Sequence, residues 1–476
     1  MKTAHKFLTV FFVLAFFQGC EDALEENIYS QLSPSTLLTS EKGVASVLNS
    51  AYSYAHRNDG GAGNWSPYYL GSSPTGELYG KGGSIESLWI QLENFTWDAN
   101  HGQVISQWPM YYRAIRDANV VLDNLDPSKF SAAFVASATA EAKFIRGWAY
   151  SELYKLYGRL PLHKSLSDDP LQARASDAET RAYIEENLLA AIPALPDTGP
   201  VGRATKGAAR GVLCKYYLNT KQWQKAADIA KEIIDMGKFG LETTFDRLYS
   251  LTNENNKEML WSLPKIGAVA ATANAVQALV FPPTYPRPYA NNGVFAARVY
   301  LFDTFVNSFL ASDKRRGLIV TEWKLANGTP QAGLGKNESF PNKYPWDPNS
   351  AGWQSGNDVP IVRYADILIS RAEALNEQSG PSQDALDLIN LVRTRAGVPN
   401  LTLTGLTKES LREAILKERS WEFFFEGKTR EDLLRHDLFI TRAVARGKNA
   451  KPHHVLYPIP QTELDANKLL EQNPGY

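Results

Sequence analysis

The stretch of residues 417–435 restricts the fold most strongly, because it places charges on a helical face that should be apolar. Leu411 and Ile415 lie on one face of a predicted helix, and Glu418 and Glu422 continue the same face. A buried charge is costly unless another charge pairs with it. The sequence therefore predicts a structural ion network that holds several helices together. Its predicted members are Arg363, Arg371, Arg393, Glu418, Arg419 and Glu422.

An acidic active site or metal site is the alternative interpretation of this stretch. Glu418, Glu422 and Glu426 are one helical turn apart, so their carboxylates share one face. Arginines flank these acids, however, and no histidine lies at ligand spacing among them. We therefore favour the structural network, since such networks cluster charges as active sites do.

Apolar residues recur with a helical period along most of the chain, and no segment shows sustained alternation. The sequence therefore predicts an all-α fold class. The segments 204–219 and 221–236 are joined by a very short turn and resemble a tetratricopeptide (TPR) unit. The predicted helices are 41–57, 103–125, 138–157, 180–191, 204–219, 221–236, 364–377, 383–396, 408–426 and 431–436.

Three segments interrupt this pattern and are rich in glycine, proline and aromatic residues: 59–83, 92–101 and 252–353. Long loops within a compact domain are usually functional or disordered, and their aromatic content argues against disorder. Sugar rings pack on aromatic faces, and their hydroxyl groups need polar side chains at the rim. The predicted ligand-binding residues are Trp65, Tyr68, Tyr69, Trp97, Asp98, Asn100, Tyr285, Tyr289, Trp346 and Trp353.

The N-terminus is typical of an exported lipoprotein. Residues 1–19 have a weakly basic start and an apolar stretch too short to span a membrane, as in a secretory signal peptide. The small residue Gly19 precedes Cys20, which resembles a bacterial lipobox and predicts lipidation of Cys20. Ordinary cleavage near Gly19 is the alternative. Residues 20–40 are polar and predict a flexible tether.

The net charge, the cysteine count and the missing motifs exclude several classes of protein. A net charge of −1 and a pI near 6.7 give no basic footprint for nucleic acid. Two cysteines, Cys20 and Cys214, cannot form a zinc cluster. Phosphate-loop, dinucleotide, nucleophile-elbow and zinc-protease motifs are missing. We therefore predict no cofactor, no metal site and no catalytic residue.

Several segments, in order, resemble the SusD/RagB family of outer-membrane nutrient-binding lipoproteins. They are KFIRGWAYSELYKLYGRLPL (143–162), VPIVRYADILISRAEALNE (359–377), ALDLINLVRTRAG (385–397), KERSWEFFFEGKTREDLLR (417–435) and YPIPQTELDANKLLEQNPGY (457–476). The resemblance implies one compact unit over 41–476, with four TPR-like helix pairs and a loop-rich ligand-binding face. It divides this unit into an N-terminal helical part (41–251), a loop-rich insert (252–355) and a C-terminal part (356–476).

The resemblance also implies a function. Members of this family are lipid-anchored in the outer membrane and face the cell exterior. They capture a ligand, most often a glycan, and act as the lid of a SusC-like TonB-dependent transporter. They are not enzymes, so the implied partners are a glycan, the transporter barrel and the membrane.

Two other functions stay open. An exported α-helical glycoside hydrolase or lyase would need two carboxylates flanking a groove, roughly 5 to 10 Å apart. Asp98 and Asp347 are the loop acids that would serve. A peptide-binding member of the same family is the second alternative.

Overall fold

The computed structural model describes residues 37–56, 67–269, 273–296 and 298–476. Cys20 and Trp65, and with them the predicted signal peptide and most of the tether, lie outside these residues. The α-helices within them are, in chain order, α1 (Glu41–His56), α2 (Glu86–Asn94), α3 (Gly102–Asn124), α4 (Ala132–Tyr157), α5 (Asp177–Ala191), α6 (Lys206–Asn219), α7 (Trp223–Asp235), α8 (Phe245–Leu248), α9 (Val276–Val280), α10 (Asp303–Val306), α11 (Tyr364–Ser379), α12 (Gln383–Ala396), α13 (Lys408–Glu422), α14 (Thr429–Arg435), α15 (Phe439–Ala445) and α16 (Gln461–Ala466).

The long helices pack on one another in sequence. In the N-terminal part α1 packs on α3, α3 on α4, α4 on α5, and α6 on α7. Helix α7 then packs on α11, which contacts both α12 and α13, so the helical layer continues into the C-terminal part. The predicted all-α fold class is confirmed by this arrangement.

Local sequence signals set the ends of these helices. Helix α5 begins with a capping box, in which the Ser176 hydroxyl accepts from the N–H of Glu179 while the Glu179 carboxylate accepts from the N–H of Ser176. Helix α4 ends at Gly158, whose φ of 74° suits glycine better than other residues. Both helices therefore lie where these end signals place them.

Short strands form four antiparallel pairs, two of which join segments about 100 residues or more apart. The antiparallel pairs are β1 (Leu78–Lys81) with β3 (Arg298–Leu301), β2 (Met259–Leu263) with β8 (Val359–Arg363), β4 (Ile319–Val320) with β7 (Phe340–Pro341), and β5 (Glu322–Lys324) with β6 (Pro330–Ala332). Helix α6 approaches the β2–β8 pair at Gly211, where an added Cβ would lie 3.0 Å from a methyl group of Val362. A larger residue at Gly211 would push α6 away from these strands.

The core is continuous across the helices and the β2–β8 pair. Trp261 on β2 meets the rings of Phe144 and Trp148 on α4 edge-on, with centroids 4.9 and 4.6 Å away. All three side chains are buried. Over the described ranges, the structure has no helix with the length and apolarity needed to cross a membrane.

The structure departs from the predicted elements at several places. Helix α13 ends at Glu422 rather than at residue 426, because Phe425 adopts a left-handed φ of 57°. The predicted loop 59–83 includes a π-helical segment, Pro67–Ser72, which packs closely on the backbone of Gly427 through Gly71. Helix α2 (Glu86–Asn94) was not predicted, because its apolar stripe is short.

Candidate functional site

The predicted ion network is present and is centred on Arg363. Its guanidinium group donates to Glu258 at 2.7 Å, to Glu422 at 3.0 Å, and to both carboxylate oxygens of Glu426 at 3.0 and 2.8 Å. Each of these side chains is buried. We call the whole set the Arg363 network: Arg363, Arg315, Arg393, Arg395, Lys343, Glu258, Asp313, Glu418, Glu422 and Glu426.

The network balances five cationic side chains against five carboxylates. Burial alone would raise the pKa of Glu422, but Arg395, Arg363 and Arg315 outweigh it and hold this pKa at about 2. The pKa of Glu426 is likewise about 2, because Arg363 and Lys343 offset its burial. The carboxylates are therefore charged, paired and shielded from water, as in a structural network.

A second buried set, which we call the Asp366 network, lies beside the first. It comprises Asp366, Lys215, Lys428, Arg419, Asp432, Glu373 and Arg435. The ring of Phe423 lies between the two networks, with Arg363 4.8 Å and Arg419 5.0 Å from its centroid. Helix α13 thus contributes Glu418 and Glu422 to the Arg363 network and Arg419 to the Asp366 network.

Arg371 was predicted to join the network, and this is wrong. Within the part of the chain that the structure describes, Arg371 forms no ion pair, and it is half-buried. Asp366, Ser370 and Glu373 occupy the inward face of α11. Arg371 follows Ser370 and is therefore turned about 100° away from that face.

Trp97 and Tyr69 do not lie at the surface, which corrects their predicted role. Trp97 is 4% exposed, its ring lies 4.7 Å from that of His454, and its N–H donates to the hydroxyl of Tyr476 at 2.8 Å. Tyr69 is buried against Trp89, with ring centroids 5.3 Å apart. Both aromatic faces are used in packing and offer none to a ligand.

The remaining N-terminal candidates divide into two groups. Asp98 and Asn100 are exposed, and the Asp98 carboxylate accepts from the N–H of Asn100 at 2.8 Å. They lie on the loop that meets the C-terminal segment, where Gln461 donates its N–H to the carbonyl of Ala99. Trp65 and the side chain of Tyr68 lie outside the described residues.

The four central candidates lie on two loops that contact each other. Tyr289 and Trp353 are 39% and 37% exposed. Tyr285 and Trp346 are half-buried on either side of Phe281, with ring centroids 5.0 and 4.3 Å from it. We call Tyr285, Tyr289, Trp346 and Trp353 the aromatic loop surface.

Hydrogen bonds fix the two loops to each other. Gly352 accepts from the N–H of Gly293 at 2.6 Å and donates its own N–H to Asn291 at 3.0 Å. The Asn292 side chain donates to the carbonyl of Asp347 at 3.0 Å. Further along, Asn274 and Ser355 exchange both backbone hydrogen bonds, at 2.9 and 2.7 Å. These contacts hold the exposed rings on a backbone with little freedom to move.

The sequence did not indicate Trp323, which lies next to this surface. Phe340 is buried, with the rings of Tyr285 and Trp323 at 5.6 and 5.4 Å from its own. The indole N–H groups of Trp323 and Trp346 are buried and have no hydrogen-bond partner among the described residues. Such groups are rare, and a ligand or water commonly satisfies them. The β5–β6 pairing that presents Trp323 is too short to show in the periodicity.

Asp347 supports its own loop. Its carboxylate accepts from the N–H of Asn349 at 2.8 Å and from the N–H of Gly356 at 2.7 Å, and its side chain is buried. A carboxylate engaged in this way orders a loop, as turn-forming aspartates do. Over the described residues, no group of three histidine, cysteine or acidic side chains is arranged to hold a metal ion.

Three titratable groups with displaced pKa values lie beneath the loops. Burial, together with Asp358 and Asp347, raises the pKa of Glu254 to about 8. Burial also raises the pKa of Asp358 to about 6 and lowers that of Lys265 to about 7. Glu254 accepts from the N–H of Asp358 at 2.7 Å, and Asp358 accepts from the N–H of Lys265 at 2.9 Å. The carboxyl groups of Glu254 and Asp358 thus link the segments that lie beneath the loops.

Comparison with known proteins places the chain in a family. A family model described as "SusD family" matches residues 326–476, and one described as "Starch-binding associating with outer membrane" matches residues 22–218. SusD-like protein P25 of Formosa agariphila is 27% identical, with all of both chains covered. Starch-binding protein SusD of Bacteroides thetaiotaomicron is 24% identical over 71% of this chain and 72% of its own.

A solved structure shows the same fold. Surface glycan-binding protein A from Bacteroides thetaiotaomicron, in complex with laminarihexaose, superposes with a TM-score of 0.77 at 20% identity, covering 90% of this chain and 98% of that one. The two family models match both ends of the chain, and the sequence relatives span it. The chain therefore belongs to the SusD/RagB family.

Proposed function

We propose that this protein captures a glycan at the outer membrane through the aromatic loop surface, without cleaving it. Family membership supports this function, because the matching family model is described as starch-binding and associated with the outer membrane. Relatives named for binding starch and a structure containing laminarihexaose point to the same ligand class. We infer an α- or β-glucan, or a similar neutral polysaccharide.

The observation that carries this proposal is the exposure of Tyr289 and Trp353 on two loops that hydrogen bonds join. Sugar rings pack their C–H faces on such aromatic rings. Trp346 lies half-buried beside these loops, stacked on Phe281. Asp98, Asn100, Trp65 and Tyr68 remain predicted ligand contacts.

Calorimetry with laminarihexaose and maltohexaose would test this surface. Trp353→Ala removes one stacking face, so the affinity should fall by about tenfold while the unfolding midpoint stays unchanged. Leu391→Ala is the matched control, because Leu391 is an exposed apolar residue on α12, outside the aromatic loop surface. Equal affinity of Trp353→Ala and the unmodified protein would rule out this surface.

The proposal also includes a lipid anchor and a membrane partner. Cys20, as the lipidated residue, would tether the protein to the outer membrane on its exterior side, where the chain acts as the lid of a SusC-like TonB-dependent transporter. Purification of the full-length protein from outer membranes should recover such a barrel with it. Cys20→Ser should release the protein from the membrane, and retention of this variant would contradict the anchor.

Capture without cleavage has its own test. A hydrolase or lyase needs a carboxylate placed to act on the sugar, whereas both oxygens of Asp347 accept from backbone N–H groups. Incubation with laminarin or starch should therefore release no reducing ends above the buffer blank. Release that Asp98→Asn or Asp347→Asn abolishes would instead establish the enzyme.

A further inference from the structure

A cavity of about 380 Å³ lies between α4, α6 and the C-terminal residues 426–435. Its volume is in the range of small-molecule sites and is too small for a polymer. Asp177, Lys221 and Val455 line it and are exposed, so it opens to solvent at that end. None of the described residues that line it belongs to the aromatic loop surface.

The wall of this cavity is largely aromatic and apolar. Aliphatic side chains, Val212 and Leu263 among them, fill the space between the rings. The aromatic lining residues are Tyr111, Trp148, Tyr154, Tyr216 and Tyr344. Such a wall suits a compound of one or two rings.

Lys215 brings to this wall a positive charge that shares its ion-pair partner with two other cations. Its ammonium group donates to Asp366 at 3.1 Å. The same carboxylate also accepts from Arg419 at 2.9 Å and from Lys428 at 3.0 Å. Asp366 is the ion-pair partner of Lys215 within the described residues, and three cations share it. Burial lowers the pKa of Lys215, and Arg419 adds to this effect.

The other lysine–carboxylate set on the wall has two carboxylates for one lysine, and both pair with that lysine. Lys155 pairs with Glu152 at 2.5 Å and with Glu431 at 3.0 Å. The second oxygen of Glu431 accepts from the side chain of Asn219 at 2.6 Å. Both carboxylates are thus engaged by the protein, whereas an ammonium has three N–H donors and Lys215 uses one on Asp366.

We propose that this cavity is a second binding site, for a sugar-sized compound that carries one anionic group. The anionic group accepts from the N–H groups of Lys215 that Asp366 leaves unused, and the ring body lies along the aromatic wall. Charge-assisted hydrogen bonds of this kind are short and strong in a site with little water. The site uses none of the residues on which glycan capture depends, so either can fail without the other.

Calorimetry with glucuronate, glucose 6-phosphate and glucose would test this site. At least one of the two anions should bind the unmodified protein in the millimolar range or tighter, and glucose should bind at least about tenfold more weakly. Which anion binds distinguishes a carboxylate from a phosphate ligand. Equal binding of glucose, or no binding of either anion, would overturn the proposal.

Lys215→Met tests the assigned group, because methionine keeps the apolar stem and removes the charge. It should weaken anion binding by about tenfold or more. Lys231→Met removes a lysine from the exposed side of α7 and should leave binding unchanged. Anion binding of unaltered strength in folded Lys215→Met would overturn the assignment.

Ser151→Phe gives a second test that leaves the ionic network intact. Ser151 lines the cavity from α4 and is half-buried, so a larger ring can occupy the cavity. This variant should lose anion binding and keep the laminarihexaose affinity, whereas Trp353→Ala should do the reverse. Anion binding by folded Ser151→Phe would place the site elsewhere and overturn the proposal.

Discussion

The Arg363 network and the aromatic loop surface differ in the type of side chain that they contain and in how far those side chains are buried. The network pairs charges in the protein interior, where Arg363 contacts Glu258, Glu422 and Glu426. The loop surface exposes Tyr289 and Trp353 on a backbone that hydrogen bonds hold in place. Charge therefore organises the scaffold, whereas the surface that we propose for recognition is aromatic. This reverses the usual assumption that buried means apolar and exposed means charged.

Removing Arg363 should have a large effect, and this effect should fall on stability alone. Arg363→Met leaves three buried carboxylates without this partner, so the free energy of unfolding should drop by about 3–5 kcal/mol. Urea unfolding followed by circular dichroism would measure it. Arg371→Met is the matched control on the neighbouring helix and should change stability by less than about 0.5 kcal/mol. Equal losses in the two variants would contradict the arrangement of the network.

Substitution of Trp97 tests whether this residue belongs to the core or to the ligand site. Trp97→Ala empties a buried site next to His454 and Tyr457, which should cost about 3–5 kcal/mol of stability. The folded fraction should bind laminarihexaose with the affinity of the unmodified protein. A loss of affinity with unchanged stability would return Trp97 to the ligand site.

Acid should weaken the Arg363 network. The folded-state pKa values of Glu422 and Glu426, about 2, lie below the usual value of 4.5, so their contribution is present above pH 4.5 and is lost as the pH falls toward 2. Glu258 opposes this, because burial raises its pKa, but it is one carboxyl group against two. The free energy of unfolding should therefore decrease between pH 5 and pH 3. A flat profile would show that these carboxylates are not held in ion pairs.

The sequence predicts the network better than the loops for a physical reason. Glu418 and Glu422 share a helix, and helical period reveals a charge on an apolar stripe without any knowledge of its partners. Arg363 was among the predicted partners, whereas Glu258 and Lys343 were not, because both lie in the segment 252–353, which lacks periodicity. Only tertiary structure brings them to the helix.

Trp97 and Trp353 show why the sequence could not distinguish exposed loop aromatics from buried ones. Both lie in polar loops of similar composition. Trp97 becomes buried because residues 454–476 fold over it, and its partner Tyr476 is 379 positions away. Trp353 is left exposed because its loop pairs with residues 291–293. Burial in a loop depends on distant contacts that local composition does not encode.

The smallest expected effect concerns Glu254, Asp358 and Lys265, the titratable groups beneath the loops. Their net contribution to stability should change with pH in the opposite direction to that of the Arg363 network. The folded-state pKa of Glu254, about 8, lies above its usual value of 4.5, so its contribution is present below pH 4.5 and is lost as the pH rises through 8. Lys265 opposes this, because its pKa of about 7 is lowered and its contribution is lost as the pH falls through 7. Asp358, with a pKa of about 6, acts with Glu254.

Hydrogen exchange at the amide of Asp358, corrected for the intrinsic rate, would isolate this effect. That amide donates to Glu254, so its protection should decrease between pH 5 and pH 8 as Glu254 becomes charged beside Asp358 and Asp347. Glu254→Gln keeps an oxygen acceptor and removes the charge, so its protection should change less over the same range. If both proteins lose protection equally, the loops are held by their backbone hydrogen bonds alone. The loops and the Arg363 network would then differ in aromatic exposure and not in their response to pH.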